Sequence, residues 1–350
     1  MTTKNPWRPA SIEDRMTPTI GILLINLGTP DATDPASIKR YLKEFLSDPR
    51  VIEKRGLLWW TLLNGIIIPR RVKKSGRAYR LIWNEAADES PLRTITRAQA
   101  EKIGEAFGGD PRIMTIWAMR YGAPSIYEGI QGLANAGCDK VLVFPLYPQY
   151  SAATTASAMD EVFSVLKEMR WQPSIRVVPP YFDEPTYIET LAEHITRHEQ
   201  TLRWKPELCL ASFHGLPVSF IEKGDPYQAQ CETTIAHLRA KLGRESKTMP
   251  LVYQSRSRRA IWLDPDMEET LANLASDGVR NLTVVAPGFA ADCIETLEEI
   301  EMRAKNVFTQ AGGENFSYIP CLNDCTKSVE MLCHVIQREL SGWCCQTNSN

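Results

Sequence analysis

Short runs of aliphatic and β-branched residues alternate along the chain with longer segments whose apolar positions recur every three or four residues. TIGILLIN (19–26), RIMTIWAM (112–119), VLVFPL (141–146), SIRVV (174–178), LCLASF (208–213), LVYQS (251–255) and NLTVVAP (281–287) have the first pattern and predict strands. Amphipathic segments near 35–46, 93–107, 124–136, 154–169, 184–203, 226–242, 266–277 and 293–304 predict helices between them. Strands that are apolar throughout, with helices between, imply parallel sheets covered on both faces. The expected fold is α/β, doubly wound and built twice. Its expected parts are 17–200, 201–322 and a last helix within 323–345 that packs back on the first part. The polar stretch RHEQTLRWKPE (197–207) is the expected linker.

Charge narrows the partners. Forty basic against forty-two acidic residues give a net charge of −2, which offers no electrostatic footprint for nucleic acid. Basic residues do gather near the N-terminus, at Lys54, Arg55, Arg70, Arg71, Lys73, Lys74, Arg77 and Arg80. The opening MTTKNPWRPASIEDRM is polar and holds Glu13 and Asp14, unlike an export signal. The nine cysteines therefore read as reduced thiols in a cytoplasmic protein. No apolar run reaches the roughly 20 residues of a membrane span.

Chemistry is expected at strand ends, because doubly wound sheets bind ligands beyond the carboxyl ends of their strands. His214 follows LCLASF and precedes Gly215 and Pro217. Glu295 stands in PGFAADCIETLEE, after NLTVVAP, at the start of a helix that also carries Glu299 four residues on. If those two strands are neighbours, the imidazole and the carboxylate face one crevice. Acid in a first turn also complements the helix dipole, which suffices for Glu298 and Glu301. His194 and His198 are four apart on a polar helix and read as a solvated face. The chain has no G-x-G-x-x-G, P-loop, G-x-S-x-G or H-E-x-x-H motif.

SFHGLP with KGDPY, and PGFAADCIETLEE, resemble the signature regions of the ferrochelatase family. GILLINLGTPDA, LKEFLSDPRVIE, SPLRTITRAQA, AMRYGAPSI, VLVFPLYPQYS, YQSRS with IWLDP, and YIPCLNDC extend the resemblance, in family order, over residues 19–342. The resemblance implies two similar Rossmann-like domains with parallel sheets and a porphyrin cleft between them. It implies insertion of Fe²⁺ into protoporphyrin IX, giving protohaem and two protons. It places His214 and Glu295 in the catalytic and iron-holding positions, and Glu299 in a proton or metal relay. For the porphyrin it suggests Leu27, Arg120, Tyr121, Tyr147, Tyr150 and Trp262. Some members carry histidine where this chain has Cys293. A neutral imidazole, with a reference pKa of about 6.5, suits removal of pyrrole protons. Imidazole with carboxylate suits ferrous iron.

LLWWTLLNGIII (57–68), flanked by basic residues, reads as a greasy cleft lip that touches the inner membrane, or else as a buried helix. Such a lip favours protoporphyrin over the more acidic coproporphyrin. Some family members hold a [2Fe–2S] cluster with C-terminal cysteines. Here Cys321, Cys325, Cys333, Cys344 and Cys345 are loosely spaced, and Ala152 stands where animal members place a ligand. The expectation is therefore no resident cofactor, with iron as substrate. The rival readings are a chelatase for another metal or tetrapyrrole, and a haem-binding module without turnover.

Overall fold

A computed structural model describes residues 19–54, 56–108, 110–256 and 260–343. The opening segment, Arg55 of the basic region, Arg258 and Arg259 of RSRRAIWLDPD, and Cys344 and Cys345 lie outside the described residues.

The strands β1 (Thr19–Gly28), β2 (Ile113–Tyr121), β3 (Cys138–Pro145) and β4 (Ser174–Val177) form one parallel sheet, in the order β2-β1-β3-β4. β5 (Leu208–His214), β6 (Leu251–Gln254), β7 (Asn281–Val285) and β8 (Asn315–Ile319) form a second, in the order β6-β5-β7-β8. The strand order is the same in both. Parallel neighbours require crossovers, and these are the intervening helices. Successive residues of β1 point to opposite faces, yet Ile22, Leu23, Leu24 and Ile25 are all fully buried. Leu24 enters one core and Leu23 another. The larger core is shared between the halves. It joins Leu24 and Phe144 of the first sheet to Ala211, Phe213 and Val285 of the second. The last helix, Thr326–Glu339, packs on the helices Pro91–Ala106 and Pro185–Thr201 and adds Leu332 and Ile336 to that core.

Four expectations need correction. β8 was not read from the sequence, because NFSYI alternates Asn and Ser with apolar residues, as a half-buried edge strand does. The helix Pro185–Thr201 runs through the first part of the expected linker at 197–207, because Ile195 and its apolar neighbours keep one face buried. His194 and His198 do not form a merely solvated face. Their Nε2 atoms meet the Pro320 carbonyl at 3.0 Å and the Ser317 hydroxyl at 2.8 Å, which ties this helix to β8. The stretch 57–68 is not a buried helix. Leu57–Leu62 buries none of its residues, with Leu58 90% and Trp60 59% exposed. It continues as a π-helical turn, Leu63–Ile67, and then as Ile68–Ile82. No helix of the described residues is long and apolar enough to cross a membrane.

Candidate active site

His214 is the last residue of β5, half-buried, and pairs in register with Gln254 at the end of β6. Its Nδ1 lies 2.7 Å from the Gly215 carbonyl, which can only accept, so Nδ1 carries the proton. In the neutral imidazole this tautomer leaves the lone pair on Nε2, the form a proton acceptor requires. Glycine at 215 is a packing necessity. A Cβ there would lie 2.8 Å from the Gln254 carbonyl and 3.3 Å from the Trp262 ring. Trp262 is thereby laid against the turn that follows His214, and its buried indole N–H has no partner among the described groups.

β7 runs beside β5, and the loop after it begins the helix that carries Glu295. The start of that helix is held by side chains. Thr296 accepts from the Cys293 backbone N–H at 3.0 Å and donates to Asp292 at 2.9 Å. Asp292 also accepts from the Tyr318 hydroxyl at 2.6 Å. Ile294–Thr296 continues as a π-helix, Leu297–Ala304, and then as Lys305–Gln310. π-helical turns are rare and concentrate at functional sites. Glu295, Glu299 and Arg303 follow one another at four-residue spacing along this helix.

Glu295 sits at the seam between the halves. A small pocket there is bounded by Thr29, Tyr41, Tyr79 and Ser90 of the first half and by Cys293 and Glu295 of the second. Burial raises the Glu295 carboxyl above its ordinary pKa, and the negative charge of Glu299 raises it further. His214 and a hydrogen bond with Cys293 act in the opposite direction. His214 is thus near enough for its charge to favour the ionised carboxyl. Burial also pushes the Cys293 thiol well up, so the sulfur is protonated packing and not a thiolate. Glu299 is already engaged. It accepts from Ser255 and pairs with Arg303 at 2.9 Å. Arg303 also pairs with Glu298 at 3.0 Å and Glu268 at 3.3 Å, so a cation ends the acidic row. Among the described residues no group of three or more His, Cys, Asp or Glu is placed to hold a metal.

The porphyrin candidates divide. Leu27 is half-buried at the seam and packs both on the lip core and on the cluster containing Cys293. It precedes Gly28, whose φ of 113° lets β1 pass so close to Tyr121 that a Cβ would fall 1.8 Å from the Tyr121 carbonyl. Trp262 lies beside the His214 turn. Arg120 and Tyr121 are engaged inside the first half. Arg120 donates to Asp48 at 2.7 Å and to Ser157 at 2.7 Å. Tyr121 is 0% exposed, and its hydroxyl donates to Asp48 at 2.8 Å. Tyr121 thus shares the Asp48 knot with Arg120. Tyr147 packs on a first-half core and its buried hydroxyl has no partner among the described groups. Tyr150 is half-buried, with its backbone N–H on Gln230 at 2.6 Å. Sequence reasoning missed Asp48, Gln254, Ser255 and the tyrosine pair Tyr41 and Tyr79. The one available signal was a polar residue ending a buried strand, as Gln254 does in LVYQ.

Two four-stranded sheets of equal order, with chemistry at the seam beyond their carboxyl ends, define a chelatase fold. SirB from Bacillus subtilis, solved with Fe³⁺, superposes with a TM-score of 0.56 over 92% of this chain and 95% of its own, at 10% identity. The sirohydrochlorin chelatase SirB from Bacillus subtilis subspecies spizizenii, solved with cobalt, gives 0.52 over 92% and 96%, also at 10% identity. Sequence comparison is more specific. The ferrochelatase family profile matches residues 19–340. A ferrochelatase from Rhizobium meliloti (strain 1021) is 53% identical over 324 residues, 93% of this chain and 96% of its own. One from Bradyrhizobium sp. (strain BTAi1) is 52% identical over 340 residues, 97% of each. The chain belongs to the ferrochelatase family. Its activity is that of a ferrochelatase, the insertion of metal into a porphyrin in haem biosynthesis.

Proposed function

We propose that His214 and Glu295 perform this insertion as a pair, with protoporphyrin IX as the ring and Fe²⁺ as the metal. The reading rests on one observation above all. An imidazole at the end of β5 and a half-buried carboxylate at the start of the helix after the neighbouring strand β7 stand near enough that the charge of His214 acts on the titration of Glu295. The reaction requires both kinds of group. Two pyrrole N–H bonds break and four Fe–N bonds form. Two protons leave, and the dianionic ring balances the charge of Fe²⁺. Nε2 accepts a pyrrole proton, and Glu295 takes it on or holds the arriving iron. A two-ligand site suits a metal that must leave for the ring, whereas a closed four-ligand cage would retain it. Leu27 and Trp262 supply apolar wall, and binding energy spread over the macrocycle offsets the cost of bending it. Arg120 acts through Asp48 and Ser157, holding the end of β2 in place. Tyr147 and Tyr150 are assigned to the porphyrin on the family resemblance, and Glu299 passes protons. No resident cofactor takes part.

Anaerobic mixing of the protein with protoporphyrin IX and Fe²⁺ is expected to quench free-base fluorescence and raise haem absorption catalytically. Coproporphyrin in the same assay is expected to react more slowly. Faster metallation of coproporphyrin would overturn the choice of ring.

The exposed lip supports a peripheral membrane contact from the cytoplasmic side. Leu57, Leu58, Trp60 and Ile66 project from the fold, Lys54 lies over the Trp59 ring, and Arg70, Lys73, Lys74 and Arg77 are exposed nearby. Burying each large apolar side chain is worth about 1.5–3 kcal/mol, and the basic rim suits an anionic surface. Co-sedimentation with phosphatidylglycerol-containing vesicles is expected. It should fall at high salt and in a Leu58→Ser, Trp60→Ser double variant. Binding equal to wild type in that variant would remove the lip from membrane contact.

A further inference from the structure

We infer that Gln99 and Asn323 are positioning residues for Glu295, locking the helix that carries it against the first half of the chain. The inference rests on the proposed role of Glu295. Gln99, on the helix Pro91–Ala106, is 0% exposed. Its Nε2 donates to two backbone carbonyls of the second half, Asn323 at 2.8 Å and Ala290 at 3.1 Å. Two acceptors around one atom fix which end of the amide is the donor. The other end, Oε1, is buried with no partner among the described groups. A buried acceptor left unpaired costs stability, so the value of this amide lies in its directed donor end.

Asn323 carries the link to the site. Its backbone has a φ of 52°, in the left-handed region that asparagine tolerates better than most residues. This conformation turns its carbonyl to Gln99 and its side chain to Asp292. The side chain and Asp292 bond reciprocally. Asn323 Nδ2 donates to Asp292 Oδ2 at 2.6 Å, and the Asp292 backbone N–H donates to Asn323 Oδ1 at 2.8 Å. Asp292 then receives the Thr296 hydroxyl, which caps the Cys293 N–H. Glu295 stands between Cys293 and Thr296. One chain of hydrogen bonds thus runs from a first-half helix to the turn that aims the carboxylate. The apolar part of the same seam, Leu92 and Met119 against Ala291 and Cys293, fixes distance, and apolar packing alone leaves rotation loosely set. The polar clamp supplies the rotation. Lys102 contacts Asp324 outside it, on the exposed side.

The test measures kcat and the separate KM values for Fe²⁺ and protoporphyrin in Gln99→Leu, Asn323→Gly and Asn323→Asp, beside Glu295→Gln. Glycine keeps the left-handed backbone accessible and removes only the side chain. Loss of aim is expected to raise the iron KM or lower kcat by about tenfold to 10²-fold, with porphyrin affinity within about twofold of wild type. Asn323→Asp is expected to be worse than Asn323→Gly, because it sets a like charge against Asp292. Lys102→Ala should behave as wild type. Wild-type kcat and iron KM in Gln99→Leu and Asn323→Gly, with Glu295→Gln impaired, would overturn the clamp alone. An equal fall in porphyrin affinity would also overturn it, by showing general loosening. Wild-type turnover in Glu295→Gln would bring down the catalytic reading beneath it. If Gln99→Leu does not fold, Asn323→Gly decides.

Discussion

His214→Ala is expected to lose turnover by about 10²–10⁴-fold while still binding protoporphyrin, the range set by removing a positioned proton acceptor. The split follows from where the residue sits. The side chain projects from the end of a completed strand, and among the described residues its hydrogen bond is to the next carbonyl, so its removal breaks no contact between distant parts of the fold. The apolar wall at Leu27 and Trp262 remains. What is lost is the lone pair at Nε2, without which the pyrrole protons must leave to water that the ring excludes. Titrating protoporphyrin fluorescence gives the dissociation constant, and anaerobic haem formation gives kcat. Added imidazole, small enough for the vacated space, is expected to restore part of the rate. A variant with weakened porphyrin binding and undiminished kcat would instead make His214 a ring-binding residue. That outcome would revive the reading of a binding module.

The strands were legible because burial on both faces leaves no room for polar positions, as in Ile22 to Ile25. β8 was not, because its polar positions Asn315 and Ser317 are half-buried against Asn281 and His198, and a short strand with such positions has the same composition as a loop. His214 was legible as a titratable residue at the end of an apolar run. Glu295 was legible as the first acid of a helix after another such run, and the family resemblance turned that pair into a mechanism. Other features depend on contacts across the chain. The commitment of Arg120 to Asp48 spans 72 residues, and the Gln99 contacts span 191 and 224. Local pattern carries no record of such partners. The pairing of Arg303 with Glu299 was local, at a spacing of four, and the sequence showed it.

Glu295→Gln is expected to lower kcat by about 10²-fold or more and to raise the melting temperature at neutral pH. Both effects have one cause. The folded-state pKa of this carboxyl is raised, chiefly by burial and then by Glu299. Above the pKa of the unfolded chain, the unfolded state has released a proton that the native state still favours keeping, so stability falls as pH rises through this range. Glutamine has nothing to ionise. The variant should therefore gain over wild type as pH climbs from acid to neutral, and the gain should vanish below the unfolded carboxylate pKa. Activity runs the other way. Only the ionised carboxylate accepts a proton from His214 or holds Fe²⁺, so in wild type the iron kcat/KM is expected to drop on acidification at a higher pH than an exposed glutamate would give. Glutamine keeps the shape and the Cys293 neighbour and removes the charge, so the part of the acid limb set by Glu295 should disappear along with the rate. Calorimetry of both proteins across pH, beside the iron rate profile, reads the two signs together. Unchanged kcat would exclude Glu295 from the reaction. Lower stability in the glutamine variant at neutral pH would show that the ionised carboxylate is held by favourable contacts, and that burial does not set its energy.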